Sequence, residues 1–193
     1  MAKLPGGPRS VAVGATVAAA LGASLWAFEA ATDRGEVYVD IVGKATVCDG
    51  LTHWFGKALD PNKHYTHAEC NDMLASDLAG REQRLEACDL PVESMPERVQ
   101  FGVQHFSYNV GTYAVCTSRT VAVPLRRGDY DTACNGMRQW TWVTSPKFGK
   151  VNCRDAKWKC SGLPTRRDYE ADTCLGNIDW RSQPWDSWRK ATQ

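Results

Sequence analysis

The first 47 residues contain no cysteine, and residues 10–28 contain no charge. No Cys-x-x-Cys pair occurs anywhere in the 193 residues, and the four histidines (His53, His64, His67 and His105) show no ligand spacing. These absences weigh against a zinc site and against a cysteine–histidine hydrolase, so neither metal nor cofactor is expected. An excess of one charge sign is missing too: 23 Lys and Arg face 22 Asp and Glu, a net charge of +1. That leaves no bulk electrostatic case for nucleic acid. The chain is too short for two large domains, but its 43% hydrophobic content suffices for one core.

The eight cysteines that are present lie between positions 48 and 174. An even, dense set points to disulfides and an oxidising compartment. Of the roughly one hundred possible connectivities, only Cys153–Cys160 is locally plausible, closing a short loop. The pairs Arg126-Arg127 and Arg166-Arg167 could meet an anionic polymer, although such pairs are usually solvated helix ends.

Residues 10–28 form a 19-residue uncharged run behind Lys3 and Arg9 and ahead of Glu29. The length permits a membrane span, and the flanking charge favours an N-in, C-out orientation. Ala, Gly, Ser and Thr outnumber the large apolar residues, so transfer into lipid is marginal. Three readings stay open: a cleaved signal peptide, a permanent anchor, and an anchor weak enough to leave the bilayer. A buried helix of a soluble protein is the bland alternative.

Val37-Tyr38-Val39-Asp40 and Ala45-Thr46-Val47-Cys48 read as short strands joined through Gly43, inside a small β-rich lobe over residues 30–60. Thr66-His67-Ala68-Glu69 is a capping box that predicts a helix over 67–86. Ser94-Met95-Pro96-Glu97 starts a second helix, with Val99, Val103 and Phe106 as its stripe. Residues 129–143 read as a helix carrying Trp140 and Trp142, residues 144–163 as a loop, and residues 164–175 as a last helix. In the tail, Trp180, Trp185 and Trp188 are expected to pack on the protein surface rather than on sugar. The fold class is therefore α+β: a β-rich N-lobe, a larger helical C-lobe, and a cleft between them for substrate. The division expected is an N-terminal segment over 1–28 and a catalytic domain over 29–193.

The stretch from Phe28 to Cys48 holds the candidate chemistry. Glu29, Asp40 and Thr46 put two carboxylates and a hydroxyl on neighbouring elements, as glycoside hydrolysis requires. The chain resembles the phage-type lysozymes, glycoside hydrolase family 24, over roughly residues 29–175. The likeness rests on Tyr38-Val39-Asp40-Ile41-Val42-Gly43 with Thr46, on Phe106-Ser107-Tyr108-Asn109-Val110-Gly111, on Gly128-Asp129-Tyr130 through Arg138-Gln139-Trp140, and on Gly162-Leu163-Pro164-Thr165-Arg166-Arg167-Asp168-Tyr169-Glu170. It implies a lysozyme-like fold and cleavage of the β-1,4 bond between N-acetylmuramic acid and N-acetylglucosamine in peptidoglycan.

In those terms Glu29 is the general acid, Asp40 the carboxylate that orients water, and Thr46 the hydroxyl that holds it. Asn109 is either a substrate contact or a helix C-cap. The usual family spacing would place the acid at Ala31, so Glu29 implies a two-residue insertion. Glu36 is the competing acid, disfavoured because a general acid must face the glycosidic oxygen across the cleft. The family's Gly-His-Thr is altered here to Gly50-Leu51-Thr52-His53. The apolar run resembles a signal-arrest-release segment: uncleaved, Ala/Gly-rich and able to leave the bilayer. Lacking cysteine, it would control activity sterically. Together these resemblances imply a monomeric endolysin exported to the host periplasm, tethered to the inner membrane by residues 10–28 before release. The competing functions are a lytic transglycosylase and a catalytically inactive wall-binding protein.

Overall fold

The computed structural model describes residues 17, 20–25, 35–39, 43–48, 50–54 and 56–181. Two hairpins form the N-lobe. Strand β1 (Tyr38–Val39) pairs antiparallel with β2 (Ala45–Thr46), with Tyr38 opposite Thr46. Strand β3 (His53–Trp54) pairs with β4 (Lys57–Ala58). The turn into β2 passes through Gly43 at φ +81°, a backbone region that costs glycine nothing.

Helix α1 (His67–Glu86) leads out of this lobe. Its start is set by the predicted capping box: Thr66 Oγ1 accepts from the Glu69 N–H at 3.2 Å, and the Thr66 N–H donates to Glu69 Oε2 at 2.9 Å. Cys70, Met73, Leu74, Leu78, Glu82 and Leu85 form its buried face, at the three- and four-residue spacing of one helical stripe. The C-lobe then follows as α2 (Glu97–Val110), α3 (Thr112–Thr117), α4 (Ala122–Arg126), α5 (Tyr130–Met137) and α6 (Gly162–Leu175). Helices α2 and α6 cross at contact distance. A Cβ on Gly102 would lie 2.6 Å from the Cys174 Cβ and 3.0 Å from the Glu170 carbonyl oxygen, so this crossing requires glycine.

The helix expected over 129–143 stops at Met137. Trp142–Ser145 instead forms strand β5, paired with β6 (Gly149–Asn152). Trp, Val and Thr in succession favour a pleated chain over a helix. The hairpin base is closed by the Cys153 N–H donating to the Thr141 carbonyl at 2.8 Å, and by Thr141 Oγ1 donating to Asn152 Oδ1 at 2.9 Å. The supposed loop over 144–163 therefore contains a strand and a short 3₁₀ turn (Ala156–Trp158), and α6 begins at Gly162, two residues earlier than expected.

All eight cysteines pair: Cys48–Cys70, Cys88–Cys116, Cys134–Cys174 and the locally expected Cys153–Cys160. The first ties the N-lobe to α1, and the third ties α5 to α6.

Two hydrophobic clusters fill the interior. One belongs to the C-lobe helices and includes Leu85, Leu90, Val103, Phe106, Val121 and Met137. The other joins the N-lobe to α1, α2 and α6, and it contains Val17, Leu21 and Leu25 beside Met73, Leu74, Leu78, Phe101 and Tyr169. Residues 20–25 are helical. Val17, Leu21 and Leu25 are fully buried, and Ser24 Oγ donates to the Tyr169 hydroxyl at 3.3 Å. Gly22 faces Leu74, whose Cδ2 would lie 3.6 Å from a Cβ placed there. Among the described residues no helix is long and apolar enough to cross a membrane. Trp180 is buried and stacks on Phe101 with ring centroids 5.3 Å apart, so it belongs to the core rather than to the surface. Trp185 and Trp188 lie outside the described residues.

Among the described residues, two buried core side chains, Glu82 and Gln104, have no hydrogen-bond partner. Glu82 is 1% exposed, and among the described residues neither carboxylate oxygen has a hydrogen-bond partner. Burial, reinforced by Glu86 and Glu93, pushes its pKa up from 4.5 to about 7. The folded state therefore binds this proton more tightly than the unfolded chain does. Stability should fall as pH rises from about 4.5 to about 7 and stay low above that. Glu82→Gln should accordingly raise stability by about 2 kcal/mol at pH 8 and change it little at pH 4. Denaturant titrations at the two pH values check this, and an equal effect at both would refute it.

Candidate active site

Thr46 sits on β2, 3% exposed, with its Oγ1 donating to the Lys44 carbonyl at 3.1 Å. That bond uses the hydroxyl's single proton, so the oxygen remains available only as an acceptor. Two residues on, Cys48 takes a left-handed backbone conformation (φ +56°) and is bonded to Cys70 in the first turn of α1. The Val47 and Leu51 backbones exchange hydrogen bonds of 2.9 and 3.0 Å. The strand carrying Thr46 is thus clamped at its C-terminal end to the long helix.

Glu29 and Asp40 lie outside the described residues. The rival acid Glu36 is exposed, in the turn beside Gly35. That turn is fixed by the Tyr65 N–H donating to the Gly35 carbonyl at 2.8 Å, and a Cβ on Gly35 would meet the Tyr65 carbonyl oxygen at 2.4 Å.

Asn109 lies exposed in the last turn of α2. It is not the C-cap; Gly111 takes that place at φ +87°. Its side-chain oxygen accepts from the Arg167 guanidinium. Arg167 is fully buried, ion-paired with Glu170, and donates through Nε to the Trp140 carbonyl at 3.2 Å. Glu170 also meets His105 Nδ1 at 2.9 Å and Arg166 Nε at 3.4 Å. Burial by itself would push the Glu170 carboxyl up. Arg167, His105 and Arg166 outweigh it and hold the pKa below the ordinary carboxylate value. Burial lowers the pKa of His105 against the opposing pull of Glu170, so the ring is neutral at pH 7 and donates Nδ1–H to the carboxylate. Arg166-Arg167 is therefore neither a solvated helix end nor a free basic patch. Arg126, of the other pair, donates to the carbonyls of Cys88 and Cys116.

A cavity of about 640 Å³ opens beside Asn109, between α3 and the β5–β6 hairpin. Trp140, Trp142 and Leu163 give it apolar walls, Arg119 and Lys150 add cations, and among the described residues no carboxylate lines it. The roles of Arg167, Glu170 and His105 in presenting Asn109 were not foreseen from the sequence. The signal was present in the three-residue spacing of Arg167 and Glu170, which puts both on one helix face.

Residues 28–170 match the family model described as phage lysozyme. The SAR-endolysin of Bacteriophage PS119 is 37% identical over 142 residues, covering 74% of each chain. The probable prophage lysozyme of Escherichia coli K12 is 31% identical over 142 residues, covering 72% of this chain and 75% of the relative. Among solved structures, the endolysin from Escherichia coli O157:H7 phage FAHEc1 superposes with a TM-score of 0.69 at 20% identity, covering 88% of this chain and 97% of that one. The active form of the P1 phage endolysin Lyz gives 0.56 at 19%, covering 90% and 99%. These structural likenesses speak for a lysozyme-like α+β fold.

Proposed function

Because this chain belongs to the phage lysozyme family and is a glycoside hydrolase of the SAR-endolysin type, we propose that it hydrolyses the β-1,4 bond between N-acetylmuramic acid and N-acetylglucosamine in peptidoglycan and so lyses the host. Glu29 protonates the departing glycosidic oxygen. A general acid must hold its proton at the working pH. Asp40, ionised, takes a proton from the attacking water on the opposite face of the sugar, and Thr46 holds that water.

The Thr46 hydrogen bond to Lys44 supports this division of labour. An oxygen left with only acceptor capacity takes one water hydrogen, and Asp40 takes the other. The water's lone pair then points away from both, toward the anomeric carbon, which is the geometry of an inverting reaction. Asn109, held by Arg167, contacts the substrate at the edge of the cavity.

The apolar segment supplies control. The protein is exported N-in and C-out, is tethered by residues 10–28, acts as a monomer in the periplasm, and is held inactive until release. The observation that carries this is the burial of Val17, Leu21 and Leu25 in the same core as Leu74, Phe101 and Tyr169. Side chains inside a bilayer cannot also fill that core. While the segment spans lipid, the N-lobe core is incomplete and Glu29, four residues beyond Leu25, is held at the membrane surface.

The test compares the wild-type chain with one whose residues 10–28 are replaced by a Leu-rich span that stays in the membrane. Only wild type should hydrolyse purified sacculi after release, yielding reducing-end muramic acid. Equal hydrolysis by the retained protein would refute the tether. Anhydro-sugar products would identify a lytic transglycosylase instead.

A further inference from the structure

The β5–β6 hairpin carries an exposed surface that meets the cavity beside Asn109 at Trp142 and Lys150 and continues beyond it through Lys147, Phe148 and Trp158. Residues 146–150 at its tip are all exposed, with Phe148 57% and Trp142 50% accessible. Phe148 packs against Trp158 with ring centroids 5.1 Å apart. Each of the three rings has an ammonium over it: Lys147 on Phe148 at 5.2 Å, Lys150 on Trp142 at 5.3 Å, and Lys157 on Trp158 at 4.9 Å. Between positions 142 and 160 the chain has five Lys and Arg but one Asp, in a protein whose net charge is only +1. Asp155 pairs with Lys157 and Arg154 with Asp168, while Lys147, Lys150 and Lys159 have no ion pair among the described residues. Lys147, Phe148 and Trp158 do not line the cavity beside Asn109.

The surface is exposed at its tip and tied down at its base. The Cys153–Cys160 disulfide closes its base, and Arg154 anchors it to Asp168 on α6 and to the Arg138 carbonyl. An exposed tip suits a broad surface rather than a small ligand. Aromatic rings ringed by lysines match a bilayer interface, where rings settle at headgroup level and ammonium groups meet anionic lipid.

We propose that this hairpin is a second membrane contact, one that holds the released, folded enzyme on the anionic lipid surface it has just left. The contact is electrostatic and interfacial, so it needs no apolar span and leaves catalysis unaffected. It does not depend on which glycosidic bond the enzyme cleaves.

The test uses the full-length purified chain and two kinds of vesicle: phosphatidylethanolamine with phosphatidylglycerol, and phosphatidylcholine alone. Co-sedimentation should favour the anionic vesicles and weaken with salt. Lys147→Glu with Phe148→Ser should cut partitioning by about tenfold or more, while hydrolysis of soluble glycan fragments persists and reports correct folding. The milder pair Lys147→Ala with Lys157→Ala should lose a smaller part and guards against misfolding of the first. Unchanged partitioning of both variants would assign the binding to the N-terminal segment and overturn the proposal. Loss of binding to sedimented sacculi, with vesicle binding intact, would make the hairpin a wall contact and also overturn it.

Discussion

Glu29→Gln should abolish lysis, lowering the rate of peptidoglycan hydrolysis by about three orders of magnitude while leaving thermal stability unchanged. Gln has the shape of the acid without its proton, so the leaving oxygen would depart unprotonated, and general acid catalysis is worth about 10²–10⁴ in rate. The matched family segment begins at residue 28 and so includes Glu29. Glu36→Gln is the necessary companion. That residue is exposed, in a turn tied down through Gly35 and Tyr65, and its substitution should cost less than about threefold in rate. Turbidity loss of permeabilised cells measures both variants. Lysis that survives Glu29→Gln but not Glu36→Gln would move the acid to position 36 and replace the two-residue insertion by a five-residue deletion relative to Ala31.

The second large effect is on stability. Arg167→Met should destabilise the fold by about 3–5 kcal/mol, because it strips a buried carboxylate of its main cation rather than removing the pair. For a chain of this size that is a fall of about 10 °C in Tm. Three acceptors meet the guanidinium: Glu170, the Trp140 carbonyl and Asn109. Arg167→Lys keeps the charge but lacks the planar fork, and it should recover only part of the loss. The pH dependence adds a check. In the wild type, Glu170 titrates below its ordinary value of 4.5. Its stabilising contribution is therefore complete above that pH and is lost as pH falls through the folded pKa. Without Arg167 the carboxyl should rise, and the variant should lose least, relative to wild type, in acid. A Tm change under about 2 °C at pH 7 would refute the network's role.

The parts of this fold that local chemistry determines were legible in the sequence. The Thr66–Glu69 capping box fixed the first residue of α1, and Tyr38-x-Asp40 with Gly43 and Thr46 marked the first hairpin. The reading of residues 129–143 as one helix overlooked the two-residue spacing of Trp140 and Trp142, which puts them on opposite sides of a helix. What ends the helix at Met137 is a strand partner, Val151 opposite Val143, that sequence distance conceals. The basic pair at 166–167 misled for a related reason. Its carboxylate partner lies on the same helix, but the burial that turns a surface pair into an internal brace comes from α2. Three of the four disulfides join elements 22 to 40 residues apart, and no local rule selects them. Within the candidate site, Thr46 is proposed from its spacing to Asp40, whereas the support under Asn109 depends on the crossing of α2 and α6, which no local pattern encodes.

The packing of Val17, Leu21, Gly22 and Leu25 against the core constrains which side chains the N-terminal segment can carry. A methyl group at position 22 would sit at ordinary contact distance from Leu74, so a longer side chain there would have to turn away from Leu74. Substitutions that bind the segment more firmly to lipid by enlarging a fully buried position, such as Val17→Phe, would overpack the folded enzyme. Substitutions that shrink Leu21 or Leu25 would ease departure from lipid and leave voids in the folded enzyme. The Ala- and Gly-rich composition is then a compromise between two solvents, hydrocarbon and protein interior, each of which limits what the other would prefer.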